Sequence, residues 1–170
     1  MHNRKVTGLI ACDPRGVMAL NHRLPWDYPE DAAFFRTTTK NQIIILGHTT
    51  FLELSPSFIE QRYCIVFSNV THLPHVTGHV VYVSSMAAFE QLDCIPSDRS
   101  CYMIGGAQVA RLFLENNRLD DLLLTEIITS YPGDSFFPLE WIAKWPVTCL
   151  KKTVDFSINH YVNPRSIYTR

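Results

Sequence analysis

Gln42-Ile43-Ile44-Ile45-Leu46 sets four branched aliphatic residues in a row with no polar residue between them. A strand with one face in water alternates apolar and polar residues, whereas a strand covered on both faces does not need to. The run therefore predicts a strand buried on both sides, as in a parallel sheet sandwiched by helices. Similar runs recur outward from it at Val6–Cys12, Tyr63–Phe67, His79–Val83, Cys101–Ile104 and Leu122–Ile128. Segments with helical spacing lie between them. Glu30–Thr38 carries Ala33, Phe34 and Phe35. Ser85–Leu92 follows Ser84-Ser85, which suits an N-cap. Ala107–Leu114 carries Val109, Leu112 and Phe113. Strands alternating with helices predict an α/β fold with a mostly parallel central β-sheet and helices on both faces. Near the end, Val147–Val154 and Asn159–Val162 read as strands with no helix between them, which predicts an antiparallel C-terminal edge.

The bulk numbers set limits on function. The 170 residues are expected to form a single domain, 1–170. With 46% hydrophobic and 18% charged residues, the chain can bury a core. A net charge of -1, with basic residues scattered rather than clustered, argues against a nucleic-acid partner. The first apolar run, Val6–Cys12, is too short for a spanning helix and has no cleavage site behind it, so the expected location is the cytoplasm. The five cysteines (Cys12, Cys64, Cys94, Cys101 and Cys149) include no CxxC pair, so zinc spacing is absent and a disulfide framework is not expected. Cys12, Cys64 and Cys101 lie in or beside strand runs and read as buried reduced thiols.

The chemistry concentrates in Leu24-Pro25-Trp26-Asp27-Tyr28-Pro29-Glu30-Asp31-Ala32-Ala33-Phe34-Phe35-Arg36. Pro29 suits a helix start, and Glu30 and Asp31 then occupy the first turn, which the helix dipole favours. Asp31 and Phe35 are four apart and share a face. An acid on an apolar helix face is partly desolvated, which raises its pKa. Such a group can hold an amide-like heterocycle or supply a proton. First-turn acids also occur merely as dipole partners, so composition alone leaves both roles open for Asp31.

This stretch and its surroundings resemble the dihydrofolate reductase family. Leu24-Pro25-Trp26 followed by Asp31 and Phe35 is similar to the family's loop and acid-bearing helix. Ile44-Ile45-Leu46-Gly47 followed by Thr50 resembles its second strand and cofactor helix. Arg62 before Cys64-Ile65-Val66-Phe67-Ser68 resembles its folate-tail arginine. Ile104-Gly105-Gly106, Leu124-Thr125-Glu126-Ile127 and Gly133-Asp134-Ser135-Phe136-Phe137-Pro138 resemble its diphosphate loop, its threonine strand and its late Phe-Pro loop. The resemblance spans nearly the whole chain in the family's order.

It implies reduction of dihydrofolate by hydride from NADPH, with NADH use left open, in a monomer with no membrane or nucleic-acid partner. Asp31 would bind the pterin and promote its protonation, helped by Trp26 and Leu24, with Thr125 orienting the acid. Leu9, Ile10, Ala11, Phe35, Leu54 and Ile104 would wall the substrate, and Arg62 would fork onto its carboxylate tail. On the cofactor side the implied residues are Ala11, Met18 and Ala19 beside the lid, then Gly47, His48, Thr49 and Thr50. Ser68, Asn69 and Ser84 follow, and Gly105 and Gly106 with Ala107, Gln108 and Val109 complete the set. The loop from Asp13 to Trp26 would close over the site. The rivals are a reductase of another pterin or of a riboflavin precursor, and a non-catalytic folate-binding relative.

The sequence departs from the family pattern where a 2′-phosphate would sit. His48, Asn69, Ser84 and Gln108 occupy positions where the family often has Arg, Lys, Ser or Thr, and none of the four is permanently cationic. A weaker preference for NADPH over NADH is expected, with His72, His75 and His79 as nearby basic groups. Ala19 replaces a frequent lid glycine, and Ala110 replaces a frequent tyrosine expected near the nicotinamide.

Overall fold

The structure is a computed structural model that describes residues 1, 3–69, 79–93 and 95–169. His72, His75 and Cys94 lie outside the described residues. The Ile43–Gly47 strand (β3) sits inside an eight-stranded sheet and pairs in parallel with Tyr63–Phe67 (β4) and Cys101–Gly105 (β6). Ile43, Ile44, Ile45 and Leu46 are all 0% exposed, so the unbroken apolar run does mark a strand covered on both faces. Ile43 and Ile45 pack into one core with Phe89 and Phe113, while Ile44 and Leu46 pack into the opposite core with Phe51 and Ile59. Full burial of each such side chain contributes about 1.5–3 kcal/mol.

The other strands fall into place around β3. Val6–Cys12 (β1) pairs in parallel with β6 and with Asp121–Ile127 (β7), and His79–Val83 (β5) pairs in parallel with β4. Phe156–Val162 (β10) runs antiparallel to β7 and to Val147–Lys152 (β9), giving the order β5-β4-β3-β6-β1-β7-β10-β9. This is the expected α/β fold, with a mostly parallel sheet and an antiparallel C-terminal edge.

Helices cover both faces. Pro29–Thr39 (α1), His48–Leu52 (α2) and Pro56–Ile59 (α3) supply Phe34, Phe51 and Ile59 to one core. Met86–Glu90 (α4) and Ala107–Glu115 (α5) supply Phe89 and Phe113 to the other. Ser85 caps α4, accepting from the Ala88 N–H at 3.1 Å. Among the described strands, β6 sends its chain to α5 on one face, while its neighbours β1 and β3 lead to α1 and α2 on the other. Such a reversal leaves a crevice at the C-terminal ends of the strands, the usual ligand position in parallel sheets.

Some boundaries differ from expectation. The C-terminal strands meet at a tight hairpin, so β9 stops at Lys152 and β10 begins at Phe156. A second small sheet pairs Val17–Ala19 (β2) with Ser135–Phe136 (β8). Elements of three and two residues carry no readable period. Among the described residues, no helix is long and apolar enough to cross a membrane. Cys12, Cys64 and Cys101 are buried free thiols, and burial pushes Cys12 and Cys64 up to about 12.

Candidate active site

A cleft of about 1190 Å³ opens at the C-terminal ends of β1, β3, β4, β5, β6 and β7. One half of it is built around Asp31. Pro29 opens α1, and Asp31 falls in the first turn with its side chain turned inward, 7% exposed. Thr125, on β7, donates its hydroxyl to Asp31 Oδ1 at 2.7 Å. Burial raises the Asp31 pKa above the ordinary carboxylate value, and the Thr125 hydrogen bond offsets only part of that rise. The result is a carboxyl group that protonates more readily than usual and sits on the wall of an apolar cleft.

Leu9, Ile10 and Ala11 from β1, Ile104 from β6, Phe35 from α1 and Leu54 after α2 line the same half. Phe35 and Phe58 stand parallel, with centroids 5.8 Å apart and planes 2° from coplanar. Leu24 lines the cleft and is 58% exposed, as a lid residue would be. Trp26 does not line the cleft. It is buried beside it with Val17 and Ile158, meets the Tyr131 ring edge-on, and its indole N–H has no acceptor among the described residues.

Arg62 also lies outside this cleft. It is 3% exposed and borders a neighbouring hollow of about 280 Å³ with Arg36 and Lys40. Its guanidinium donates to Thr39 Oγ1, the Phe58 carbonyl and the Arg36 carbonyl at 3.0, 2.7 and 3.0 Å, and stacks over the Phe58 ring. Three of five donors are used, which leaves two for a ligand. The two hollows share Arg36, Ser55 and Phe58.

The other half of the cleft follows the strand ends. Gly47, His48, Thr49 and Thr50 come from the β3–α2 junction, Ser68 and Asn69 follow β4, and Ser84 follows β5. Gly106, Ala107, Gln108 and Val109 form the β6–α5 junction. Gly106 is the N-cap of α5 and offers no side-chain cap, so the first-turn N–H groups remain open to an anion. A Cβ on Gly106 would stand 3.2 Å from Thr50 Oγ1 and close the approach. Gly105 does not line the cleft, but its φ of +103° is one that glycine tolerates and other residues do not.

The lid carries Met18 and Ala19, both on the cleft wall. Ala19 keeps a β conformation within β2; positive φ falls instead on Asn21 and His22, at 49° and 66°. Leu20 and Arg23 exchange backbone hydrogen bonds at 2.9 and 3.1 Å around them, a two-residue primed turn. The base of the lid is fixed by Asp13, 2% exposed, whose carboxylate accepts the N–H groups of Arg15, Val17 and Tyr131 at 2.8, 2.9 and 2.9 Å. Burial alone would raise the Asp13 pKa, but these backbone donors outweigh it and hold it below the ordinary value. Ala110 is fully buried in the core beneath α5 and does not line the cleft. Its small size is therefore a core-packing choice.

The sequence reading missed Arg23, Arg36 and Phe58, all on the cleft wall. Lone arginines and a phenylalanine in a four-residue helix carry no local signal. Only the fold brings them together.

The family model described as dihydrofolate reductase matches residues 5–170. The chain belongs to the dihydrofolate reductase family. It is 27% identical over 157 residues to the dihydrofolate reductase of Mycoplasma pneumoniae, covering 92% of this chain and 96% of that one. It is 30% identical to that of Neisseria gonorrhoeae, with 79% of each chain covered. It is also 24% identical to the dihydrofolate reductase type 9 of Escherichia coli, covering 94% and 93%. Membership of the dihydrofolate reductase family makes the chain an oxidoreductase.

Proposed function

We propose that this chain reduces 7,8-dihydrofolate to 5,6,7,8-tetrahydrofolate, with a reduced nicotinamide dinucleotide, NADPH or NADH, bound along the strand ends from β5 to β6. The observation that carries this reading is the buried Asp31 carboxyl, held by Thr125 at 2.7 Å, in the same cleft as the uncapped N-terminus of α5.

Asp31 accepts the exocyclic amine and the adjacent ring N–H of the pterin together, a charge-assisted pair of bonds. Its burial raises its pKa, which lets the same carboxyl also take up a proton and pass it, through water, towards the pterin nitrogen beside the reacting carbon. Thr125 fixes the acid's orientation. The Trp26 indole N–H, without a protein acceptor among the described residues, is available to a water on the proton's path. Ala11 is small and leaves room at the meeting point of the two ligands, and Leu24 and Met18 exclude solvent from it. Phe35 and Phe58 flank the ring that follows the pterin. The two free donors of Arg62, with Arg36 beside them, take the acidic tail. On the other side, the first-turn N–H groups of α5 hold the dinucleotide's diphosphate. Bound there, the cofactor supplies the hydride.

The same reading has the protein working as a monomer in the cytoplasm, a setting that suits its buried free thiols. The test is a spectrophotometric assay in which loss of reduced-cofactor absorbance requires dihydrofolate. Absorbance loss without dihydrofolate, or none with it, refutes the proposal. Activity on a pterin lacking the acidic tail, undiminished by Arg36→Leu, would favour a tail-less substrate instead.

A further inference from the structure

We infer that the cofactor site does not select for a 2′-phosphate and accepts NADH and NADPH with similar affinity. This deepens the cofactor half of the proposed function and rests on it.

Four neighbouring strands, β5, β4, β3 and β6, end along one side of the cleft. Each end presents one of four polar residues to it: Ser84, Asn69, His48 and Gln108. Three strand spacings separate the outermost pair, about 14 Å, comparable to the adenosine diphosphate half of a dinucleotide. The diphosphate finds its donors at the α5 N-terminus, but the phosphate on an adenosine ribose needs positive charge beyond it. A guanidinium or ammonium contact to phosphate is worth roughly tenfold to a hundredfold in affinity. No lysine or arginine stands at any of these four strand ends.

Among the described residues, none lines the cleft beside these ends. The arginines on the cleft wall, Arg23 and Arg36, belong to the lid and α1, on the β1 and β7 side. Arg111 is exposed on α5 and does not line the cleft. The sequence 70–78, which joins β4 to β5, contains no lysine or arginine; its basic residues are His72 and His75, which are not permanent cations either. His48 is the sole ionisable group among the four, and its Nε2 is buried without a partner among the described residues. An imidazole is not the permanent cation that a guanidinium or an ammonium is.

The opposite selection is missing too. Sites that demand NADH commonly place an acid against the ribose hydroxyls, which repels a 2′-phosphate. None of the four residues is acidic, and Glu53, which does line the cleft, lies at the far end of α2 from His48. Asn69, Ser84 and Gln108 are exposed, so a 2′-phosphate there stays hydrated and is neither drawn in nor pushed out.

The test is equilibrium binding of NADPH and of NADH to the unliganded full chain at pH 8, read by quenching of tryptophan fluorescence. The two dissociation constants should agree within about tenfold. NADPH binding a hundredfold tighter overturns the inference and leaves the functional reading standing. Binding of neither dinucleotide overturns both. Gln108→Arg and Ser84→Arg provide the second arm: each should tighten NADPH by about tenfold or more and leave NADH within about threefold. Equal gains for both cofactors, or none for NADPH, would show that these positions do not face the phosphate and would overturn the inference.

Discussion

Replacing Thr125 with valine tests the central feature of the site, because it keeps the volume and shape of the side chain and removes one hydroxyl. Thr125 is 3% exposed and its hydrogen bond to Asp31 is buried. A hydrogen bond to a charged group contributes about 1.5–3 kcal/mol, and a buried carboxylate that loses it has no solvent to replace it. The variant should therefore melt lower at pH 8 by roughly 3 to 12 °C. The sign with pH follows from the carboxyl's state. The folded Asp31 pKa already lies above its unfolded value because of burial, and the Thr125 bond is the influence that pulls it back. Without it the folded pKa rises further. The charged form is then disfavoured in the fold, and the penalty is complete only above the folded pKa. As pH falls towards the unfolded pKa, near 3.9, the penalty should fade and the two proteins should converge in stability. In the assay, the pH profile of kcat for dihydrofolate should move to higher pH, since the acid keeps its proton to a higher pH than in the parent protein. A profile that moves to lower pH, or equal melting temperatures at pH 8, would refute the assignment of Thr125 as the group that tunes Asp31.

Other perturbations follow from the same contacts. Asp31→Asn should cut turnover severely near neutral pH yet leave the fold at least as stable, because it removes a buried charge; stopped-flow kinetics and thermal melts read both. Asp13→Asn turns an amide N–H₂ towards a backbone donor and should loosen the lid base by about 1–3 kcal/mol at neutral pH. Asp13's lowered pKa gives stability present above its unfolded value and lost as pH falls through its folded value, so melts of the variant should lose that acid dependence. Gly133→Ala would place a Cβ 2.1 Å from Val17 Cγ1 and 2.9 Å from the Ala19 carbonyl, forcing β2 away from the 128–134 loop at a cost of about 1–3 kcal/mol in a melt. Arg62→Leu should raise KM for dihydrofolate and also lower the melting temperature, because it removes the guanidinium bonds to the Phe58 and Arg36 carbonyls and to the Thr39 hydroxyl; an unchanged melting temperature would contradict its internal bonding.

The parts of the fold legible in the sequence are those where burial forces a pattern. β3 is readable because Ile43 to Leu46 must be apolar on both faces, and β1, β4, β6 and β7 lie within a residue of their runs for the same reason, while the edge strand β5 is apolar though only Val83 of it is buried. β2 and β8 were not readable, because their pairing is set by the Asp13 carboxylate and by Gly133's missing side chain rather than by periodicity. α2 hides for a third reason. It has five residues, follows β3 without a break, and spends Thr49 and Thr50 on the cleft instead of on an amphipathic face.

The site divides in the same way. Asp31 is legible only in part: its spacing from Phe35 puts it on an apolar helix face, but a first-turn acid serves equally as a dipole partner, and the family resemblance is what singles it out. Its partner Thr125 lies 94 residues away on another element, and no spacing links them; only the family resemblance put the two together. Arg62 shows the limit of a residue-type reading. A guanidinium can donate to a ligand's carboxylate or to acceptors within the protein, and this one already donates to the Thr39 hydroxyl and to the Phe58 and Arg36 carbonyls. It lines the neighbouring hollow beside Arg36 and Lys40, with two of its five donors unused among the described residues. Absence of charge is the easier feature to read from sequence. A phosphate subsite without lysine or arginine cannot be supplied by packing, because packing moves side chains by ångströms and creates no cations. Ser84, Asn69, His48 and Gln108 are therefore informative for what they lack, and their convergence on four adjacent strand ends turns that lack into a property of the cleft.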